Sequence, residues 1–115
     1  MLSDAKNFLV GLTVRAEASH ILVKGTDAKA EQKIRSIIEE VGNDPDKFAE
    51  AAKQHSECPS GGSGGSLGEF GRYSMVPEFD AVVFSDDTEM GVTYGPIKTD
   101  FGFHAVVVTR RSDRL

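Results

Sequence analysis

Ser19-His20-Ile21-Leu22-Val23-Lys24-Gly25-Thr26-Asp27 is the stretch from which the fold can be read. Ile21-Leu22-Val23 is a compact apolar run stopped by Lys24-Gly25, the pattern of a buried strand. Thr26 or Asp27 then stands where a helix needs its N-cap. Beyond it Ala30, Ile34, Ile37, Ile38 and Val41 recur at steps of three and four, so one apolar stripe faces a core, and Gly42 ends the helix. A second helix follows at once. Asp44 caps it, Pro45 fits its first position, and Asp46 suits the positive end of its dipole. Phe48, Ala52 and His55 share a face, and Pro59 stops it.

Downstream, residues 60–66 are a Gly/Ser loop, expected to be mobile. Its loose glycine pattern follows a helix, whereas a dinucleotide fingerprint follows a strand, which argues against nucleotide binding. Residues 68–73 read as a short strand, and Pro77 opens a short helix carrying Phe79, Val82, Val83 and Phe84. Gly95-Pro96-Ile97 begins an edge-like strand, since proline is tolerated at strand starts. The last strand, Phe103 to Thr109, alternates: His104, Val106 and Val108 on one side, Phe103, Ala105 and Val107 on the other. The order is β-α-α-β-α-β-β, an α+β layer structure. Upstream of Ala18 two readings stay open, a short helix capped by Ser3 or a strand from Phe8 to Val14. The expected division is therefore 1–17 as an extension, 18–111 as the domain and 112–115 as a tail.

Composition narrows the function. A chain of 115 residues is enough for one domain and too short for two independent cores. Its net charge of −5 argues against nucleic acid, because phosphate binding needs clustered Lys and Arg. No apolar run approaches the roughly 18–20 residues of a membrane span, and the start, with Asp4 and a brief apolar run, is not expected to be a secretory signal. A lone cysteine, Cys58, can form no intrachain disulfide, from which a reducing compartment is expected, the cytoplasm or an organelle interior.

Five segments in order then resemble the parvulin family of prolyl isomerases. Ser19 to Lys24 is similar to its first strand, and Phe48-Ala49 with His55-Ser56-Glu57-Cys58-Pro59-Ser60-Gly61 to its second helix and catalytic-loop entry. Gly65-Ser66-Leu67-Gly68-Glu69-Phe70 matches its G-x-L-G-x-F strand, and Met75-Val76-Pro77-Glu78-Phe79-Asp80 its third helix. Gly95-Pro96 with Thr99-Asp100-Phe101-Gly102-Phe103-His104 resembles its closing strand pair. The resemblance implies a four-stranded antiparallel sheet surrounded by helices, with a shallow cleft for a prolyl peptide. It implies a polar catalytic cluster at His20, Cys58, Thr99 and His104, and a proline pocket at Leu67, Met75 and Phe79, with Phe101 beside it. It also implies a monomer that acts on proline-containing polypeptides without a cofactor or metal. The phospho-specific branch has a basic loop after the first strand. Here Lys24-Gly25-Thr26-Asp27-Ala28-Lys29 carries no arginine cluster, so apolar residues are expected before the proline.

Taken singly, these residues have plainer readings. A histidine on an apolar strand is commonly a hydrogen-bonded core residue, and Leu67, Met75 and Phe79 would be core. His55-x-x-Cys58 with His20 and His104 could be imagined as a zinc site, but no CxxC or HExxH pattern backs it. A thiol enzyme lacks a visible oxyanion hole. A non-catalytic module that holds extended peptides in the same cleft is the alternative to an isomerase.

Overall fold

The computed structural model describes residues 14–112. The helix or strand expected within residues 1–13 lies outside them. The elements are β1 (Arg15–Lys24), α1 (Ala28–Val41), α2 (Pro45–His55), a 3-10 turn (Pro59–Ser63), β2 (Ser66–Gly71), α3 (Pro77–Val83), β3 (Thr93–Thr99) and β4 (Gly102–Ser112). The expected order is the observed one. All pairings are antiparallel and the sheet order is β2-β1-β4-β3, which leaves β3 at an edge.

Alternation along the two central strands divides the core. Ile21 and Val23 of β1 and Phe103, Ala105 and Val107 of β4 pack with Ala30, Ile34, Ile37 and Val41 of α1 and Phe48, Ala51 and Ala52 of α2. The opposite face carries Ala16, Ala18, Val106, Val108 and Ile97 against Phe79 and Val83 of α3 and Phe70 of β2. Ile21, Ile34, Val41, Val83, Val106 and Val108 are fully buried, each worth roughly 1.5–3 kcal/mol of transfer free energy. The caps form as the sequence predicts. Asp27 accepts from Ala30 N–H, Asp44 accepts from Asp46 and Lys47 N–H, and Gly42 ends α1 at φ 58°.

Two local expectations are corrected. β1 starts at Arg15, so residues 15–17, read as part of an extension, are strand. Their partners decide this: Arg15, Ala16 and Glu17 pair with Ser112, Arg111 and Arg110 of β4, which also runs beyond its expected end. Small Ala16 and Ala18 among charged residues give no strand signal on their own. The Gly/Ser loop is also not a free loop. Its backbone folds into the 3-10 turn, with Gly61 buried and Gly65 C=O accepting from His20 N–H at 2.9 Å. The glycines permit that approach, and the next element is a strand rather than a phosphate-binding helix. No helix among the described residues is long and apolar enough to cross a membrane.

Candidate functional site

The α3 face of the sheet carries the polar residues. His20 lies on β1 opposite Val106, and His104 lies on β4 opposite Leu22, so the two histidines are diagonal neighbours on adjacent strands. Their rings stack with centroids 5.4 Å apart, and the two Nδ1 atoms approach to 3.3 Å. Thr99, at the end of β3, places Oγ1 2.8 Å from His104 Nε2. On the other side His20 Nε2 lies 3.1 Å from Ser60 Oγ, and the Ser60 hydroxyl donates to Cys58 Sγ at 3.2 Å.

These contacts form one chain whose direction follows from its first member. Thr99 Oγ1 accepts the Phe101 N–H at 3.2 Å, and the acceptor within reach of its own proton is His104 Nε2 at 2.8 Å. A neutral imidazole has one donor and one acceptor. His104 therefore donates through Nδ1–H to His20 Nδ1, and His20 donates through Nε2–H to Ser60. Reversing every bond would leave the Thr99 hydroxyl, 5% exposed, a buried donor without an acceptor, at a cost of about 1–3 kcal/mol. The chain runs from Thr99 to the sulfur.

Both imidazoles are held neutral. Burial, followed by the neighbouring His104, lowers the His20 pKa from 6.5 to about 4, and burial lowers that of His104. The consequence for stability has a definite sign. As pH falls below 6.5 the unfolded chain takes up the His20 proton before the folded one. The stability is therefore complete above that pH and drains until about pH 4, where folded His20 also charges. The loss is on the order of 3 kcal/mol. Urea midpoints should fall more steeply over this window in the parent than in His20→Gln. Parallel curves, or a His20 ring titrating near 6.5 by NMR, would contradict the assignment.

Beside the histidines opens a hollow of about 370 Å³, lined mainly by apolar groups: Leu22, Leu67, Met75, Val76, Phe79 and Phe101, with His20, His104 and Cys58 on its wall. The Phe79 ring stands edge-on to both imidazoles, at 5.8 Å from His20 and 6.1 Å from His104. Phe101 sits on the rim, 62% exposed. Of the residues singled out by sequence, His20, Cys58, His104, Leu67, Met75, Phe79 and Phe101 surround this one space, and Thr99 lies behind His104. A larger depression of about 550 Å³ across α1 and the end of β1 mixes Lys24, Lys29 and Lys33 with Asp27 and Glu57 and contains no histidine. Among the described residues no group of three His, Cys, Asp or Glu side chains is placed to hold a metal ion.

Sequence reasoning missed Ser60, one of several serines in its loop. Pro59 opens the 3-10 turn that carries its hydroxyl back between Cys58 and His20. The segment before it is tied to β1: Glu57 N–H donates to Leu22 C=O at 2.8 Å, and Leu22 N–H to Ser56 Oγ at 3.1 Å. Those bonds fix where Cys58 points.

A family model described as the PpiC-type PPIase rotamase domain matches residues 20–110. The foldase protein PrsA of Geobacillus sp. strain WCH70 is 36% identical over 112 residues, which cover 96% of this chain and 38% of the relative. Among solved structures, a study of the virulence factor PEB4 and the periplasmic protein Cj1289, two SurA-like chaperones of Campylobacter jejuni, gives a TM-score of 0.77 at 30% identity, over 96% of this chain and 44% of that one. The peptidylprolyl isomerase PrsA of Bacillus anthracis gives 0.72 at 26%, over all of this chain and 48% of that one. The chain thus spans about two fifths of the length of the curated relative and a little under half of these solved chains. The expectation of a reducing compartment, the cytoplasm or an organelle interior, is overturned by these comparisons, in which Cj1289 is a periplasmic protein. The physical inference behind it was too strong: a lone thiol that can form no intrachain disulfide is as compatible with an oxidising compartment as with a reducing one.

Proposed function

The chain belongs to the PpiC-type peptidyl-prolyl isomerase family, and on that footing we propose that it accelerates rotation about X–Pro bonds in unfolded or flexible polypeptides, with no requirement for a phosphorylated residue before the proline. The supporting observation is the apolar hollow set directly against a neutral histidine pair. Amide resonance sets a barrier of roughly 18–20 kcal/mol to rotation, and no bond differs between product and substrate. Catalysis then means binding the twisted amide better than either planar form. Leu67, Met75 and Phe79 grip the pyrrolidine ring and exclude water, which disfavours the charge-separated planar amide. Dipoles of the Thr99–His104–His20–Ser60–Cys58 chain surround the carbonyl as its charge changes. Each tenfold in rate needs about 1.4 kcal/mol of such preference.

Cys58 acts without a covalent adduct in this reading. No imidazole reaches the sulfur directly to take its proton: His20 meets Ser60, and the Ser60 hydroxyl donates to Cys58 Sγ. Ser60→Ala should lower kcat about five- to tenfold with KM little changed, and an unaltered kcat would remove Ser60 from the mechanism. The rim supports indifference to phosphate: Lys24 and Glu57 balance each other, and only residues 25–27 separate β1 from α1. Its acidic balance disfavours nucleic acid as a partner.

Two-dimensional exchange NMR on a short X–Pro peptide tests the proposal, since cis and trans forms interconvert only over tens to hundreds of seconds unaided. Uncatalysed rates at saturating protein would refute it. His104→Ala separates it from a peptide-holding module: the variant should still bind peptide while losing turnover.

A further inference from the structure

Met75 is common to the hollow beside the histidines and a neighbouring one. That second depression, about 490 Å³, is lined by Arg72, Tyr73, Met75, Pro77, Asp80 and Ala81. Tyr73 is 57% exposed, and it is the non-glycine residue with positive φ, 69°, among the described residues. The left-handed region is costly for a bulky side chain, so its surroundings must hold it there. The buried Asp80 does so. One of its carboxylate oxygens accepts the Tyr73 N–H at 2.8 Å, and the other accepts from the Arg72 guanidinium at 3.0 Å. That guanidinium lies 4.8 Å from the Tyr73 ring centroid and 5.7 Å from that of Phe84. A buried carboxylate and a stacked arginine therefore hold the Tyr73 ring at the surface, 57% exposed, at a positive φ.

We propose that Tyr73 and Met75 form a second client subsite, which takes an aromatic side chain two or three residues away from the isomerised proline. The inference rests on the isomerase reading for its occupant, because Met75 is a wall common to the depression and the hollow beside the histidines. An extended peptide advances about 3.3 Å per residue, so two or three residues carry it ~7–10 Å, enough to cross one methionine side chain. The lining selects aromatic over charged groups. Asp80 matches the charge of Arg72, while the Tyr73 ring, the Met75 thioether and Pro77 offer flat, polarisable contact.

The test compares proline peptides of equal length with Phe or Ala at the third residue before, or after, the proline. In the parent one Phe peptide should show a KM about tenfold below its Ala counterpart at similar kcat, and in Tyr73→Gly that ratio should fall to about one. Equal KM values in the parent, or a ratio that survives Tyr73→Gly, would overturn the proposal. Amide shift titration of the parent gives an independent answer that needs no turnover: the Tyr73 signal should move with the Phe peptide and not with the Ala peptide. A Tyr73 signal indifferent to both, as when residues 1–13 or a second copy already cover the groove, also overturns it. Absence of acceleration for every peptide would sink the isomerase reading instead, and the titration would still decide the subsite.

Discussion

Phe79→Ala is expected to lower kcat/KM by at least about thirtyfold and to be the most damaging single truncation of the site. Phe79 is 3% exposed and belongs to the α3-face core, yet its ring also lines the hollow proposed to take the proline. Removing a buried phenylalanine ring costs about 3–5 kcal/mol of stability, a large part of the 5–15 kcal/mol that holds a domain together. The loss of apolar grip on the pyrrolidine ring, about 2 kcal/mol by contact area, accounts for the thirtyfold. It also frees both imidazoles, which pack edge-on against the ring. The two effects separate experimentally. Phe79→Leu keeps most of the volume and apolar surface, so it should remain folded and lose only the part of the activity that depends on the aromatic edge. Full activity in a folded Phe79→Leu would show that the aromatic edge is dispensable.

Gly65→Ala is expected to be among the most damaging changes that touch no site side chain. Gly65 has φ +86°, and a Cβ there would lie 2.5 Å from His20 C=O and 3.2 Å from Ala52 Cβ. The strained conformation costs about 1–2 kcal/mol for a non-glycine residue, and overpacking typically adds 1–3. For a domain of this size each 1 kcal/mol shifts Tm by about 4–8 °C, so a fall of roughly 8–40 °C is expected. The backbone obstructed is that of His20, whose N–H donates to Gly65 C=O. Activity should therefore fall even well below the melting range. Gly62→Ala is the control: a Cβ there meets nothing within 4 Å. Equal Tm values for the two variants would show that β1 and the turn can separate at little cost.

Much of the site was legible because its residues lie on regular elements. Period-two alternation in β4 put His104 with Val106 and Val108, and the described structure keeps them on the α3 face. The proline pocket came from the family resemblance at Leu67, Met75 and Phe79, and these side chains do share one hollow. Ser60 was not legible, since no local pattern distinguishes the serine that reaches a histidine from those that face water. The Asp80–Arg72–Tyr73 arrangement was hidden for the same reason: it joins a turn to a helix, and its positive φ leaves no mark on a tyrosine.

The sequence by itself determined the elements, their caps and the faces they bury, because helix and strand periods and capping groups act between residues close in the chain. It also determined that a histidine on β1 and another on β4 would be candidates. Only the tertiary structure decided that strand register makes them diagonal neighbours, that a turn packed on α2 inserts Ser60 between histidine and thiol, and that five side chains from Thr99 to Cys58 fall within hydrogen-bond distance in one row. Those outcomes depend on pairing and packing between segments far apart in the chain, where a shift of one residue turns each side chain to the other face.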